Sequence, residues 1–285
     1  ILLTTLVISG CTSKEEREQA RIEAMQSQLA SDQWVFSEAL QTVYKNRAYA
    51  PLWVEQDELN DSGQALLRTL ADAHEHGLDP TDYSLDAIRN QIEKLDSNKP
   101  DIQADTELRL SSAYLAYAED MLTGRFPPKL DKKWHYPVPS MDAAAQLTQA
   151  ADSDDIAKTL AGLAPTLKDY QVLVEARKKL VTIMNRGGWS PIQLTETLEP
   201  GQTHSDVSEL RKRLQQEGYY DGDDKSQTYD QALQSAVKSF QRAHGLNDDG
   251  RLGAKTRKWL NVSAIEKLRS IDINLERMRS LPRDL

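Results

Sequence analysis

Apolar side chains return every three or four residues along most of this chain, the spacing that gathers them on one face of a helix. Phe36, Leu40 and Val43 share one such face. Leu66, Leu70 and Ala73 share another, after which Gly77 supplies a C-cap. Ser84 stands as an N-cap before Leu85, Ile88, Ile92 and Leu95. Residues 106–122 carry two stripes, Leu108, Leu115 and Leu122 on one and Leu110, Tyr114, Tyr117 and Met121 on the other. A helix apolar on two sides is expected at the centre of a bundle. Ile156, Leu160 and Leu163 predict a further helix, and Tyr170, Leu173, Ala176, Leu180 and Met184 a long one. Between 123 and 141 the period lapses into Gly124-Arg125-Phe126-Pro127-Pro128 and Trp134-His135-Tyr136-Pro137-Val138-Pro139, an ordered loop with extended backbone.

The pattern resumes at smaller scale over 201–262. Ser205 caps a stripe of Val207, Leu210 and Leu214, and Gly218–Asp224 is a turn. Thr228 and Gln231 fit a capping box before Leu233, Val237 and Phe240, and Gly245 ends that helix. Asp248-Asp249-Gly250 turns again, and Gly253 opens a short helix with Trp259 and Leu260. Three short helices in this stretch make a small bundle with Phe240, Val237 and Leu246 in its core. Ser263-x-x-Glu266 is a second capping box; Leu268, Ile271, Leu275 and Met278 follow at helical spacing, and Pro282 stops the helix. The expected fold is therefore mainly α: a helical region over 34–200, a three-helix bundle over 201–262 and a docked helix over 263–285.

The first 33 residues read differently. Ile1–Ile8 is apolar and leads to Ser9-Gly10-Cys11. Residues 1–11 resemble the remnant of a secretory signal ending in a bacterial lipobox, with small residues where the backbone must lie flat for cleavage. Cys11 is then the lipidation site, and several acyl chains make a stable anchor. Thr12, which is not Asp, implies the outer membrane by the sorting rule of such lipoproteins. In 12–33 only Ile22, Met25 and Leu29 recur, so this segment is expected to be a polar tether with some helix, standing the folded part off the membrane.

Composition narrows the functions. The 285 residues carry a net charge of -9, which disfavours nucleic acid as a partner. Residues 201–262 hold ten basic and nine acidic side chains, so the negative charge lies upstream and a boundary is expected near Pro200-Gly201. The single cysteine excludes an internal disulfide framework and any multi-thiolate metal site. No cofactor is called for.

Few residues offer chemistry. His74-Glu75-His76 invites a metal, but residues two apart do not share a helix face, and the HExxH spacing is absent. His135, between Trp134 and Tyr136, suits a packed loop. Glu119 on the two-sided helix is a conceivable acid for a lytic murein enzyme, against its simpler reading as a solvated side chain. Asp221-Gly222-Asp223-Asp224 lacks the glycine and terminal Glu of an EF-hand.

Two resemblances follow from longer strings. Tyr44-Lys45-Asn46-Arg47-Ala48-Tyr49-Ala50-Pro51-Leu52-Trp53, His76-Gly77-Leu78-Asp79-Pro80-Thr81-Asp82-Tyr83, Gly124-Arg125 with Pro127 and Trp134, Pro165–Tyr170 and Gly187-Gly188-Trp189 occur in order. Together they resemble the scaffold domain of the large three-part L,D-transpeptidases of Gram-negative bacteria. Tyr229-Asp230, Ala236-Val237-Lys238-x-Phe240-Gln241, His244-Gly245-Leu246, Asp249-Gly250, Gly253 and Thr256 resemble the three-helix peptidoglycan-binding domain of wall enzymes. The resemblance implies a supporting scaffold and peptidoglycan as partner, with Tyr220, Arg242, His244 and Arg251 as candidate contacts to sugar or stem-peptide carboxylate. It also implies a catalytic domain with a Ser-x-Gly-Cys-x-Arg loop and a His base. No such loop occurs, and the one Cys is taken by the lipobox, so no catalytic residue is assigned. The expectation is the non-catalytic part of such an enzyme, ending before its catalytic domain, lipid-anchored in the periplasm. The alternatives are a lipoprotein that ties the outer membrane to peptidoglycan without catalysis, and a lytic enzyme.

Overall fold

A computed structural model describes residues 13–31, 33–126, 137 and 139–283. The fold is mainly α, as the periodicity predicts. The chain divides into two compact units, one of Ile1–Val172 with Asn274–Leu285 and one of Leu173–Ile273. Their helices are α1 (Lys14–Leu29), α2 (Ser37–Asn46), α3 (Asp61–Ala71), α4 (Leu85–Ile92), α5 (Pro100–Thr123), α6 (Ala143–Ala151), α7 (Ile156–Ala161), α8 (Lys168–Asn185), α9 (Asp206–Gln216), α10 (Gln231–Ala243), α11 (Ala254–Leu260) and α12 (Ala264–Arg279). The division falls inside α8 and α12.

In the first unit α5 is the central element, and α1 to α4 and α6 pack on it. Both of its stripes are buried, apart from a half-exposed Leu122. Its most consequential residue lies off the expected stripes. The Glu107 carboxylate, fully buried, accepts from the backbone N–H groups of Leu52 (2.5 Å), Trp53 (3.1 Å) and Val54 (3.0 Å) and from the Tyr44 hydroxyl (2.7 Å). Ser111, one turn on, meets the Tyr44 hydroxyl at 2.6 Å and accepts from the Trp53 indole N–H at 2.8 Å. These bonds pin the start of a small hairpin, β1 (Val54–Glu55) against β2 (Glu58–Leu59) with Val54 opposite Leu59, to the central helix. Gly63 is required where α3 crosses behind it: a Cβ there would lie 2.4 Å from the Trp53 carbonyl oxygen.

Three expectations are corrected. The tether over 12–33 is, over its described residues, mostly helix α1, docked along α5 with Ala24, Met25 and Leu29 buried. Ser13 caps it in a reciprocal box with Glu16. A narrow apolar stripe with polar residues elsewhere is what a helix lying on an existing core shows, so the few apolar positions were docking contacts. Arg21 of α1 donates to the Tyr49 carbonyl at 2.8 Å, holding a turn in which Ala48 and Tyr49 both have positive φ.

The boundary at Pro200-Gly201 is a turn inside the second unit: the Gly201 N–H bonds the Tyr229 carbonyl at 2.7 Å. The segment before it already belongs there, with the Ile192 N–H on Asn261 at 2.8 Å and Leu198 bridged to Leu252. A shift in charge marks composition, not packing.

The helix over 263–285 is divided. Its last turn closes the first unit. Glu276 accepts from the Arg125 and Phe126 amides at 2.6 and 2.9 Å, and Arg279 donates to the His76 carbonyl at 2.8 Å. Arg283 donates to the carbonyls of Met121 and Leu163 at 2.6 and 2.8 Å. Smaller corrections concern caps. Ser84 and Ser205 make no side-chain cap bond, and Asp230, not Thr228, caps α10 by accepting from the Leu233 N–H at 2.8 Å. The α6 helix and the β1–β2 hairpin were not expected.

Candidate functional site

The second unit is built around Val207, Leu210, Leu214, Tyr229, Leu233, Val237, Phe240, Leu252 and Leu260. Two arginines of α9 lie inside it. Arg211, with a side chain 1% exposed, donates to the carbonyls of Ser226 (3.2 Å) and Thr228 (2.7 Å) and to Asp230 (2.6 Å). Its guanidinium also meets the Tyr220 hydroxyl and lies 5.1 Å from that ring's centre. Arg213 donates to the Leu260 carbonyl at 3.0 Å and stacks on Trp189 at 3.6 Å, with Glu217 at 3.1 Å. Gln241 fixes the turn before α11: its amide donates to Asp249, the Arg251 carbonyl and Thr256, and its oxygen accepts from the Gly250 N–H. The Tyr229 hydroxyl donates to the Gly250 carbonyl at 2.9 Å. Much of the 229–256 motif therefore specifies the bundle's own turns.

The four candidate contacts do not converge. Tyr220 is half-buried against Arg211. Arg242 is exposed and pairs with Asp248 at 3.1 Å. Arg251, on the turn after Gly250, pairs with Glu199. His244 lines a cavity. Its ring stacks on Phe240 with centres 4.0 Å apart, and its Nδ1 lies 2.8 Å from the Phe240 carbonyl oxygen. A carbonyl only accepts, so Nδ1 carries the proton and Nε2 presents a lone pair in the neutral ring. Burial pushes the imidazole pKa below its ordinary value, favouring that neutral form. Leu246, placed in the core above, is half-exposed.

That cavity, of about 500 Å³, is lined by the aromatic rings of Tyr219, His244 and Trp259 and by Leu180, Ile183, Val262 and Ile271. Its charged groups are Lys179, Glu217, Glu266 and Lys267. Lys267 is ion-paired to Glu217, and burial pulls its pKa down against that partner's effect. Sequence reasoning missed Trp259, although a signal for it was present. It is adjacent to Leu260 on a one-sided helix, and neighbours cannot both face one core. Leu260 is buried and Trp259 is 43% exposed.

The remaining chemical candidates fall elsewhere or outside the described residues. His74 Nδ1 sits 3.0 Å from the Ala71 carbonyl, and His76 Nδ1 lies 3.1 Å from the Tyr170 hydroxyl. Glu119 is exposed on α5. Cys11, His135 and most of the 127–138 loop lie outside the described residues. Among the described residues no cluster of three or more His, Cys, Asp or Glu is arranged to hold a metal, and no helix is long and apolar enough to cross a membrane.

Against known families, residues 38–176 match the scaffold domain. Residues 203–260 match the family described as "Putative peptidoglycan binding domain". This is a peptidoglycan-associated protein. The second match spans the bundle of α9, α10 and α11, and the first begins after α1 and ends within α8. A search of curated proteins finds no match.

Proposed function

We propose that these residues form the non-catalytic scaffold and wall-binding part of an L,D-transpeptidase of a Gram-negative bacterium, held at the outer membrane by lipid on Cys11 and facing the periplasm. The observation that carries this reading is the order of the two family matches, a scaffold followed by a peptidoglycan-binding bundle. An L,D-transpeptidase needs a cysteine nucleophile, and the sequence's one cysteine is Cys11. These residues therefore bind and support while a domain outside them makes the crosslink. The deciding experiment is sedimentation of the full chain with purified sacculi, which should carry it into the pellet; a chain that stays in the supernatant at saturating wall concentration refutes the binding role. Cys11→Ser should move the protein out of the membrane fraction of cells, and unchanged fractionation refutes the anchor.

A further inference from the structure

We infer that the wall-contacting site is the aromatic cavity of Tyr219, His244 and Trp259, and that its ligand is a muropeptide, an N-acetylated amino sugar bearing its carboxylate-rich stem peptide. This rests on the peptidoglycan-binding role proposed above and assigns its place. The cavity's volume of about 500 Å³ falls in the range of small-ligand sites, roughly 300–1,000 Å³. Trp259 and His244 have ring centres 5.3 Å apart, and Tyr219 and His244 6.3 Å. Three aromatic rings around one space suit the apolar face of a pyranose, whose C–H groups meet the electron-rich side of an aromatic ring. His244 Nε2 adds an acceptor for a sugar hydroxyl or an acetamido N–H.

Charge selects the rest of the ligand. Lys179 is exposed and, among the described residues, in no ion pair, so its ammonium is available to a stem carboxylate. The exposed arginines of the bundle differ, since Arg242 and Arg251 are already paired with Asp248 and Glu199. Nine of the fourteen cavity residues lie outside 203–260, on α8 and around α12. The site therefore belongs to the whole second unit and not to the three-helix motif alone.

The test uses the full chain, purified sacculi and a soluble disaccharide-peptide released from them by muramidase. Trp259→Ala should weaken sedimentation about five-fold to ten-fold, as loss of an aromatic platform implies. Lys179→Glu, at an exposed position that leaves the fold unchanged by circular dichroism, should weaken it several-fold and raise the disaccharide-peptide concentration needed for displacement. Arg242→Ala should bind as wild type. If wild type binds and both cavity variants bind equally well, the cavity assignment is overturned while the wall-binding role stands. If wild type itself does not bind, the role proposed above has failed. If Lys179→Glu alone is silent, the ligand is sugar without its peptide, and the muropeptide assignment is wrong.

Discussion

Each unit buries a charged group at its centre, Glu107 in the first and Arg211 in the second, and the two differ in the escape routes open to their partners. The first buries a carboxylate, Glu107, whose partners are three backbone N–H groups and a tyrosine hydroxyl, all away from water. The second buries a guanidinium, Arg211, whose carboxylate partner Asp230 is 45% exposed. A backbone amide cannot turn to find another partner without moving the chain. A surface aspartate can turn to water. The scaffold's buried charge therefore specifies the path of residues 52–54, while the bundle's ties a turn to a helix and leaves its anion hydrated. Removing each charge should show the difference.

Glu107→Ala should have the largest effect. It strands three amide donors and the Tyr44 hydroxyl in a dry core, a loss on the order of 3–5 kcal/mol. Urea unfolding should show the midpoint collapse, with Glu107→Gln intermediate because its amide oxygen still accepts. A midpoint within error of wild type for Glu107→Ala would mean the hairpin is held by something else.

Arg211→Ala should cost less, about 2–3 kcal/mol, because Asp230 rehydrates, leaving the Ser226 and Thr228 carbonyls and the Tyr220 hydroxyl to lose a charged donor. Equal losses in the two variants would erase the distinction between enclosed and open partners. Arg283→Ala comes next, at about 1–2 kcal/mol, since it removes two carbonyl contacts from a residue at the surface. A loss there, read as a lower urea midpoint, would show that the segment after α12 helps to hold the scaffold unit. No change would mean that the Glu276 and Arg279 bonds suffice.

What was legible in the sequence follows the same physics. Apolar periodicity reports burial of hydrocarbon, so α2, α3, α5 and α10 were visible from Leu40, Leu66, Leu115 and Phe240. Glu107 carried no such signal, because a buried carboxylate is identified only by donors 53 to 63 residues away in sequence. Docking of α1 was hidden because three apolar residues among charges read equally well as a tether. The bundle's motif was legible as a motif, yet Gln241, Tyr229 and Asp249 spend their polar groups on turns. The side chains chosen for exposure, Arg242 and Arg251, are exposed but paired. Lys179 and Trp259 escaped because their cavity joins residues about 80 positions apart, and nothing in local spacing predicts that meeting.

The smallest expected effect is on pH dependence, and it sharpens the contrast from the side of the bundle. Burial holds the His244 pKa below its ordinary value of 6.5, chiefly through loss of hydration, with the Phe240 carbonyl opposing. The unfolded chain then binds more protons than the folded one as pH falls through 6.5 toward the depressed folded value. Stability is therefore full above about 6.5 and declines across that window. The ring is partly open to water, which screens the effect and makes this loss the smallest of those considered. His244→Phe keeps a ring on Phe240 and cannot titrate. It gives up the bond to the Phe240 carbonyl, which lowers its stability at every pH by the same amount. The informative quantity is thus the difference in melting temperature between wild type and variant, followed by tryptophan fluorescence from pH 7.5 to 5. That difference should shift against wild type on acidification. A constant offset would show that His244 titrates alike in both states and that its burial places no demand on its charge.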